Sequence, residues 1–595
     1  MEPWTLVQKY VNIRCRAIKP CSTNCTIPLF SHILFDLPPY SFLSSFGITL
    51  VTPRKSQLIL LAAGKAAYNF FPLKGASSNT MVPVNGKPIL WWITESLKKQ
   101  VETFGSFKLV IDAEDQATES YAKQLSLNWE IVKVKNSKSI LESLQAGLNE
   151  ADKKQSVSVL LGDTLFGENL PVNDDEVFIQ PVNNTKRWCM ATLNDGYITN
   201  LIDKPEKWND PESRNALCGY YHFNSTKDLF QSVSNSIQKG KKELSAAILD
   251  YAETHKIKGI QAQTWYDFGN IDKMVQSKHR LLQSRSFNSV TVDELSNSLT
   301  KRSSKKQKLL DEFHWYQQLP QELKTFTPRV IDMKETDDHV SLKLEFYGYY
   351  TLSELYLYSG LDQVYWETIV KRLLDTYKVF CKHTKPGNQH SLKEIYLTKT
   401  EERLSKLQSE EWKRMLNAEA IVLNGEKLKS YKSLQAWIEE KVSELFITDT
   451  FSIIHGDWCF SNILFDLNGH VAKFIDPRGR FGTESIYGDP RYDMAKFRHS
   501  LHGSYDFIVN DLFSIDEVSD LSFRLDIEQN EVHSHLTDYF DREIEAMGFD
   551  SDQIILIEGL LFLTMIPLHA DQPKRQKAMY LNAIKILNEL YNKCA

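Results

Sequence analysis

A chain of 595 residues exceeds what one hydrophobic core can serve, so several domains are expected. Hydrophobic residues make up 42% and charged residues 25%, the balance of folded globular protein and not of long disordered tracts. A formal net charge of -6 excludes the basic field that draws proteins onto nucleic acid, and eight cysteines without a CxxC pair or metal-spaced Cys/His cluster predict reduced thiols, no disulfide, no zinc and a cytoplasmic setting.

Residues 1–55 read as an extension ahead of the first domain. No acidic residue occurs between positions 3 and 35, where Lys9, Arg14, Arg16 and Lys19 stand, so a transit peptide is the alternative reading. The apolar stretch 28–51 is broken by His32, Asp36, Pro38 and Pro39, short of the run of about 20 apolar residues that a spanning helix needs. No membrane partner is expected. From 56 the sequence SQLILLAA runs into Gly64, as a buried parallel strand feeding a loop does. Apolar runs at 107–111, 157–161 and 177–179 then alternate with helical patterns at 89–100 and 140–151, which predicts a mostly parallel sheet with helices on both faces. The composition changes at 270–285, so a domain over 56–272 is followed by a linker helix over 273–284. A strand-rich small lobe over 285–350 and a helical lobe over 351–595 complete the expected order, with long helices from 352 to 444.

The strongest signal is IIHGDWCFSNILFD at 453–466, followed by FIDPRG at 474–479. Phosphoryl transfer needs a carboxylate to orient and deprotonate the attacking hydroxyl, and oxygen ligands for a Mg²⁺ that bridges the ATP phosphates. Asp457 supplies the first; Asn462 and Asp476 supply the second. HGDxxxxN followed by a hydrophobic strand and IDP resembles the aminoglycoside phosphotransferase and choline kinase families, relatives of the protein kinases. The resemblance implies an α+β bilobal protein-kinase-like domain with ATP as co-substrate, Asp457 as catalytic residue, Asn462 and Asp476 as Mg²⁺ ligands and His455 as a structural loop residue. It also implies a small-lobe lysine paired with a helix glutamate, here Lys301 and Glu312, with Lys305, Lys306 and Lys308 as competitors for the lysine. LKLEFYGYYTLSELYL at 342–357 looks like the hinge, where Glu345 to Tyr347 would meet adenine; a plain edge strand and turn is the alternative. YGDPRYDMAKFRHSLHG at 487–503 resembles the structural GDxxYDxA block, which assigns Asp493 to loop packing. Arg478, two positions beyond Asp476, suits an anionic substrate or phosphate through its guanidinium fork, or a surface salt bridge. HGD in place of HRD, with no DFG or APE, disfavours a protein kinase.

LLAAGKAAYNFFPLKGASSNTMVPVNGKPIL at 60–90 resembles the opening of sugar-phosphate nucleotidyltransferases. LLGDTLF at 160–166, DKP at 203–205, GYYHF at 219–223 and WYDFGN at 265–270 align with later parts of that family. The resemblance implies a Rossmann-like α/β domain with Mg²⁺ on Asp163 and Asp267 and a nucleotide near Gly64, Lys65 and Lys74. Two basic groups of the family are replaced: GTR reads Ala66, Ala67 and Tyr68, and the lysine of PK is Asn79. Such groups neutralise the triphosphate and its transition state, so the domain either transfers a nucleotidyl group or keeps its fold to bind a nucleotide-linked or phosphorylated sugar. A kinase and a nucleotidyltransferase on one chain suggest consecutive steps toward a surface-polysaccharide precursor; a non-catalytic nucleotide-binding scaffold is the alternative. The acceptor is a small molecule, open between sugar, amino alcohol and polyol.

Overall fold

The computed structural model describes residues 55–594 apart from 65–70, 76, 136, 209–213, 270, 284–288, 294, 448–449 and 530. The extension, its transit-peptide alternative and Lys65 lie outside the described residues. Ser56–Leu61 is buried along its whole length and lies between Phe104–Asp112 and Val157–Leu161, both parallel to it, with Trp129–Val134 parallel at the edge. Its side chains alternate between two cores, Leu58 and Leu60 on one face and Ile59 and Leu61 on the other, as strand geometry requires.

The sheet does not stop at these four strands. Beyond Val157–Leu161 follow Asn215–Phe223, Glu176–Pro181, Lys258–Gln261, Tyr197–Asp203 and Cys189–Asn194, giving nine strands. Asn215–Phe223 is antiparallel to both its neighbours and the last two strands are antiparallel to each other. The expectation of a mostly parallel sheet is therefore corrected to a mixed one. Asn215–Phe223 is buried along nearly its whole length, and an apolar run does not reveal a strand's direction; Tyr197–Asp203 buries only two of its seven residues and so gives no such run.

One face is covered by Ile140–Asn149, Thr226–Gln238 and Leu244–Ala252, whose Leu144, Val233 and Ile248 join the Ile59 core. The other face carries Ile89–Lys98, and its core runs without a break into the C-terminal half, so that Leu58 and Trp458 belong to one cluster. Polar contacts accompany it. Gly360 N–H donates to Pro72 O at 2.7 Å, Gly86 N–H donates to Glu354 Oε1 at 2.8 Å, and Phe71 meets Tyr350 edge-on at 4.8 Å. A helix, Ile271–Gln283, stands where the linker helix is expected; its Met274, Lys278 and Leu281 are buried, with the Lys278 ammonium 3.7 Å from the Tyr350 ring centre.

The small lobe is an antiparallel sheet in the order Ser289–Asp293, Ser298–Ser303, Val340–Glu345, Val330–Glu335, covered by the helix Lys306–Gln318. The helical lobe includes Gln363–Cys381, Pro490–Leu501, Ser551–Met565 and Pro573–Cys594. The segment 551–569 is long and apolar enough to cross a membrane by composition, yet it is 67% buried in the protein, where Leu560 to Leu563 fill the lobe's core. One part of 352–444 is not helical as expected. Ala420–Leu423 and Glu426–Lys429 form a hairpin through Asn424 (φ 51°) and Gly425 (φ 87°), the Asn-Gly pair that a tight hairpin turn favours.

Candidate active site

The HGD loop leaves the strand Thr450–Ile453 and is suspended from a buried carboxylate on the helix Pro490–Leu501. Asp493 accepts the N–H groups of His455 at 2.6 Å and Gly456 at 2.8 Å and the Tyr377 hydroxyl at 3.0 Å. Burial pushes its carboxyl up to about 7 despite these donors. His455 is 1% exposed; its Nδ1 accepts the Asp457 N–H at 3.3 Å and its Nε2 meets Ile475 O at 3.0 Å. Burial lowers it to about 4, which makes it a neutral brace of the loop. Gly456 has φ 77°, and a Cβ there would stand 2.8 Å from the Arg478 Cβ, so glycine is required both for the backbone and for Arg478 to come close.

Asp457 opens into a cleft of about 570 Å³ that Asn462, Asp476, Lys301 and Glu312 also line. The five-residue spacing brings Asn462 Nδ2 to Asp457 Oδ2 at 3.0 Å, across the short helical turn Phe460–Asn462. Lys496 Nζ stands 2.9 Å from Asp457 Oδ1. Burial would raise the Asp457 carboxyl, but the Lys496 ammonium outweighs it and holds it at about 2. On the small lobe, Lys301 lies on Ser298–Ser303 and its Nζ is 2.7 Å from Glu312 Oε1 on the next helix, while also contacting Asp476 Oδ1. Lys305, Lys306 and Lys308 do not share this position: Lys306 pairs with Glu335, and Lys308 lines the cleft without entering that pair.

Beside Lys301 lies a largely apolar slot of about 270 Å³, lined by Leu299, Leu344, Glu345, Tyr347, Leu464 and Ile475. Its shape and lining suit a flat base. The N–H groups of Glu345 and Phe346 already donate to Arg329 O and Asn297 O at 2.9 Å each, and the Glu345 side chain accepts the Tyr347 hydroxyl at 2.9 Å. This narrows the expected Glu345-to-Tyr347 contact, because two of its backbone donors are engaged within the sheet.

Four cationic residues that line the cleft, Arg302, Lys399, Arg403 and Lys496, carry no role in the motifs read from the sequence. Lys496 sits three positions after Asp493 on a helix buried from Arg491 to Leu501, and that spacing was its only sequence signal. Lys399 and Arg403 lie four apart on the helix Lys399–Leu404, directly after a π-helical turn over Glu394–Thr398. The inserted turn resets the helical face, so their common direction is not legible from periodicity.

In the N-terminal half a cleft of about 660 Å³ is lined by Gly64, Asn79, Thr80, Asp112, Lys138 and Asp163. A Cβ at Gly269 would stand 2.9 Å from Asp163 Oδ2 and 3.2 Å from Asp267 Oδ1, so the two carboxylates converge on one spot. Asp267 Oδ1 accepts the Gly269 N–H at 2.9 Å, whereas its Oδ2 is buried without a hydrogen-bond partner. Burial first, with Asp163 nearby, pushes Asp267 up to about 7; Asp163 is raised by burial as well. A buried carboxylate with one unpartnered oxygen beside a second carboxylate fits a hard divalent cation. Among the described residues no group of three His, Cys, Asp or Glu stands at metal geometry, so each of the two sites offers a pair of protein ligands, which suits Mg²⁺ completed by phosphate and water. Asp267→Asn is expected to raise the melting temperature in EDTA, by removing the buried charge, and to abolish any increase on adding Mg²⁺ and nucleotide; differential scanning fluorimetry reads both.

Lys74 requires a correction. It follows Leu73, which bridges to Ser359, and its ammonium feels Glu528 and repels His533 while burial lowers its pKa; it lies in the contact with the helical lobe and outside the nucleotide cleft. Lys138, just before the helix Ile140–Asn149, is the described lysine that lines the cleft instead.

Residues 298–504 match the family model of the phosphotransferase enzyme family. Within the C-terminal half these residues thus form a domain similar to that phosphotransferase family. The N-terminal half resembles sugar-phosphate nucleotidyltransferases: it is 27% identical over 235 residues to the bifunctional protein GlmU of Methanococcus maripaludis, covering 38% of this chain and 54% of that protein. It is 27% identical over 231 residues to the bifunctional protein GlmU of Methanocaldococcus jannaschii, covering 38% and 54%. The chain spans about half the length of the curated relatives it matches. Similar solved structures include the inositol-1-phosphate CTP transferase from T. maritima, at 12% identity and TM-score 0.31 over 39% of this chain and 98% of that one. A thermostable mutant of the aminoglycoside phosphotransferase APH(4)-Ia, in ternary complex with AMP-PNP and hygromycin B, is 11% identical with TM-score 0.33 over 52% and 97%.

Proposed function

We propose, on the premise that residues 298–504 are a domain of the phosphotransferase enzyme family, that the chain transfers the γ-phosphate of ATP to a hydroxyl of a small metabolite. The observation that carries this reading is the convergence of Asp457, Asn462, Asp476 and the Lys301–Glu312 pair on one cleft beside an apolar slot. The base occupies the slot, and Lys301 meets the phosphates. The acceptor hydroxyl hydrogen-bonds to Asp457; its oxygen forms the new bond to phosphorus as the bond to the ADP oxygen breaks, and its proton passes to Asp457. Asn462 and Asp476 would hold Mg²⁺, which when bound neutralises phosphate charge.

A carboxyl held at about 2 is a weak base, so Asp457 chiefly orients the hydroxyl and takes the proton late. That suits a loose transition state, in which the attacking oxygen acquires little bond order before the leaving bond stretches. Lys496→Met is expected to let burial raise the Asp457 pKa. Since the ionised form is required, activity in the variant is expected to fall as pH drops through this higher value, and Asp457 is expected to give the native protein no acid limb above about 2. A kcat/KM–pH profile with unmoved acid limb contradicts this role of Lys496.

For the N-terminal half, we favour binding of a nucleotide or nucleotide-linked sugar at the Asp163–Asp267 site, with nucleotidyl transfer weakened by Asn79, whose buried Oδ1 lacks a hydrogen-bond partner. The proposed pathway context is synthesis of a surface-polysaccharide precursor in the cytoplasm, with the phosphorylated acceptor as ligand of this half. ADP release across sugars, amino alcohols and polyols tests the kinase; titrating its product into the Asp457→Asn full chain tests the pairing. An acceptor-dependent signal supports the first, and a product with no affinity for the N-terminal cleft sinks the second.

A further inference from the structure

The wall of the kinase cleft opposite the small lobe is cationic. Lining the cleft are three carboxylates, Glu312, Asp457 and Asp476, against seven lysines and arginines. All three carboxylates are engaged: Glu312 and Asp476 contact Lys301, and Asp457 contacts Lys496. Lys399, Arg403 and Arg478 are left without an ion-pair partner among the described residues. Arg403 Nη1 donates to Thr564 O at 2.8 Å, and Arg478 Nη1 donates to the Tyr492 hydroxyl at 3.2 Å; both bonds fix a guanidinium without neutralising it. The Lys399 ammonium makes no hydrogen bond among the described residues, while its backbone N–H donates to Glu394 O.

Such an arrangement is costly in the empty protein. Like charges four apart on a helix repel by a few tenths of a kcal/mol even when exposed, and these are partly buried and face a third cation. Burial first, then Arg478, Arg403 and Lys496, lowers Lys399 to about 6. In the empty cleft the repulsion is relieved by loss of the Lys399 proton, and an anion brought into the cleft restores the ammonium. ATP accounts for the small-lobe cations: Lys301, Arg302 and Lys308 flank the position of its phosphates, with Arg302 and Lys308 also on the cleft wall. Lys399 and Arg403 stand on the helical lobe, on the helix that packs against Ser551–Met565, and so lie on the acceptor's side of Asp457.

Resting on the kinase reading above, we propose that Lys399, Arg403 and Arg478 form an anion-recognition subsite, so that the acceptor is a hydroxylated molecule bearing a phosphate or carboxylate group. An acceptor whose only charge is an amine is selected against, because it would add a cation beside the uncompensated Arg403 and Arg478 guanidiniums and a lysine that they already drive toward its neutral form. Arg403 and Arg478 present forks that match either anion; the structure favours neither source over the other.

The test uses the full chain and a series of acceptors on one hydroxylated scaffold carrying no charge, an amine, a carboxylate or a phosphate. The expected result is a kcat/KM about 10- to 100-fold higher for an anionic member than for the neutral one, with the carboxylate and phosphate arms identifying the source. Lys399→Met and Arg403→Gln are each expected to raise the acceptor KM about 10-fold or more with ATP KM unchanged, and Lys399→Arg to restore most of it. Independently of turnover, inorganic phosphate is expected to raise the melting temperature of the native chain saturated with AMP-PNP, and to lose that effect in Arg403→Gln. Preference for the neutral or amine acceptor, with KM unmoved in the variants, overturns the subsite and leaves the kinase standing. Turnover of none of the four, despite ATP binding, overturns both.

Discussion

Replacing Asp457 by Asn is expected to lower kcat by about 10²- to 10⁴-fold, with the dissociation constant for ATP within a few-fold of native. The amide keeps the size of the carboxylate and a hydrogen bond from Asn462 Nδ2, which lies 3.0 Å from Oδ2 in the native protein, but it takes no proton from the acceptor. It also leaves Lys496 without its counter-ion at 2.9 Å, so some loss of stability accompanies the loss of rate. ATP affinity separates the two effects, because the nucleotide's contacts lie with Lys301 and the slot beyond. A variant that keeps native kcat contradicts Asp457 as the group at the reacting hydroxyl.

Lys301→Met is expected to cost about 10²- to 10³-fold in kcat, the size of effect seen when one preorganised group at a developing charge is removed. Its structural effect is separate. Glu312 is 6% exposed, and without Lys301 it becomes a buried, unpaired carboxylate, at a cost of about 3–5 kcal/mol. Lys301→Met with Glu312→Leu removes both charges. The double variant is expected to regain most of the melting temperature while its kcat stays low. Recovery of activity along with stability would show that the lysine acts through folding alone.

The two clefts differ in how much of them the sequence displays. Asp457 and Asn462 are carried by one short loop, so the geometry that brings their side chains to 3.0 Å is local and their spacing is visible. Lys301 and Glu312 are eleven residues apart on a strand and the helix that follows it, still one supersecondary unit. Lys399 and Arg403 are different: their place opposite Asp457 depends on how the helical lobe closes, and the π-turn before them shifts their face. Lys74 shows the converse hazard. Proximity in sequence to Gly64 suggests the nucleotide, yet Phe71 to Leu73 contact Tyr350, Ser359 and Gly360 and hold the next residue, Lys74, on that side, whereas Asn79 and Thr80 line the cleft. In the fold, the fully buried strands announced themselves through continuous apolar runs. The exposed antiparallel extension of the sheet did not, because its alternating residues carry too few buried positions to stand out.

The kinase assignment is tested most directly by ³¹P nuclear magnetic resonance of the full chain with Mg·ATP and an anionic hydroxylated acceptor. A new phosphomonoester signal growing in step with ADP, and absent in Asp457→Asn, is the predicted result. ATP that binds but stays intact with every acceptor, or that yields only inorganic phosphate, contradicts the transfer chemistry assigned to this site.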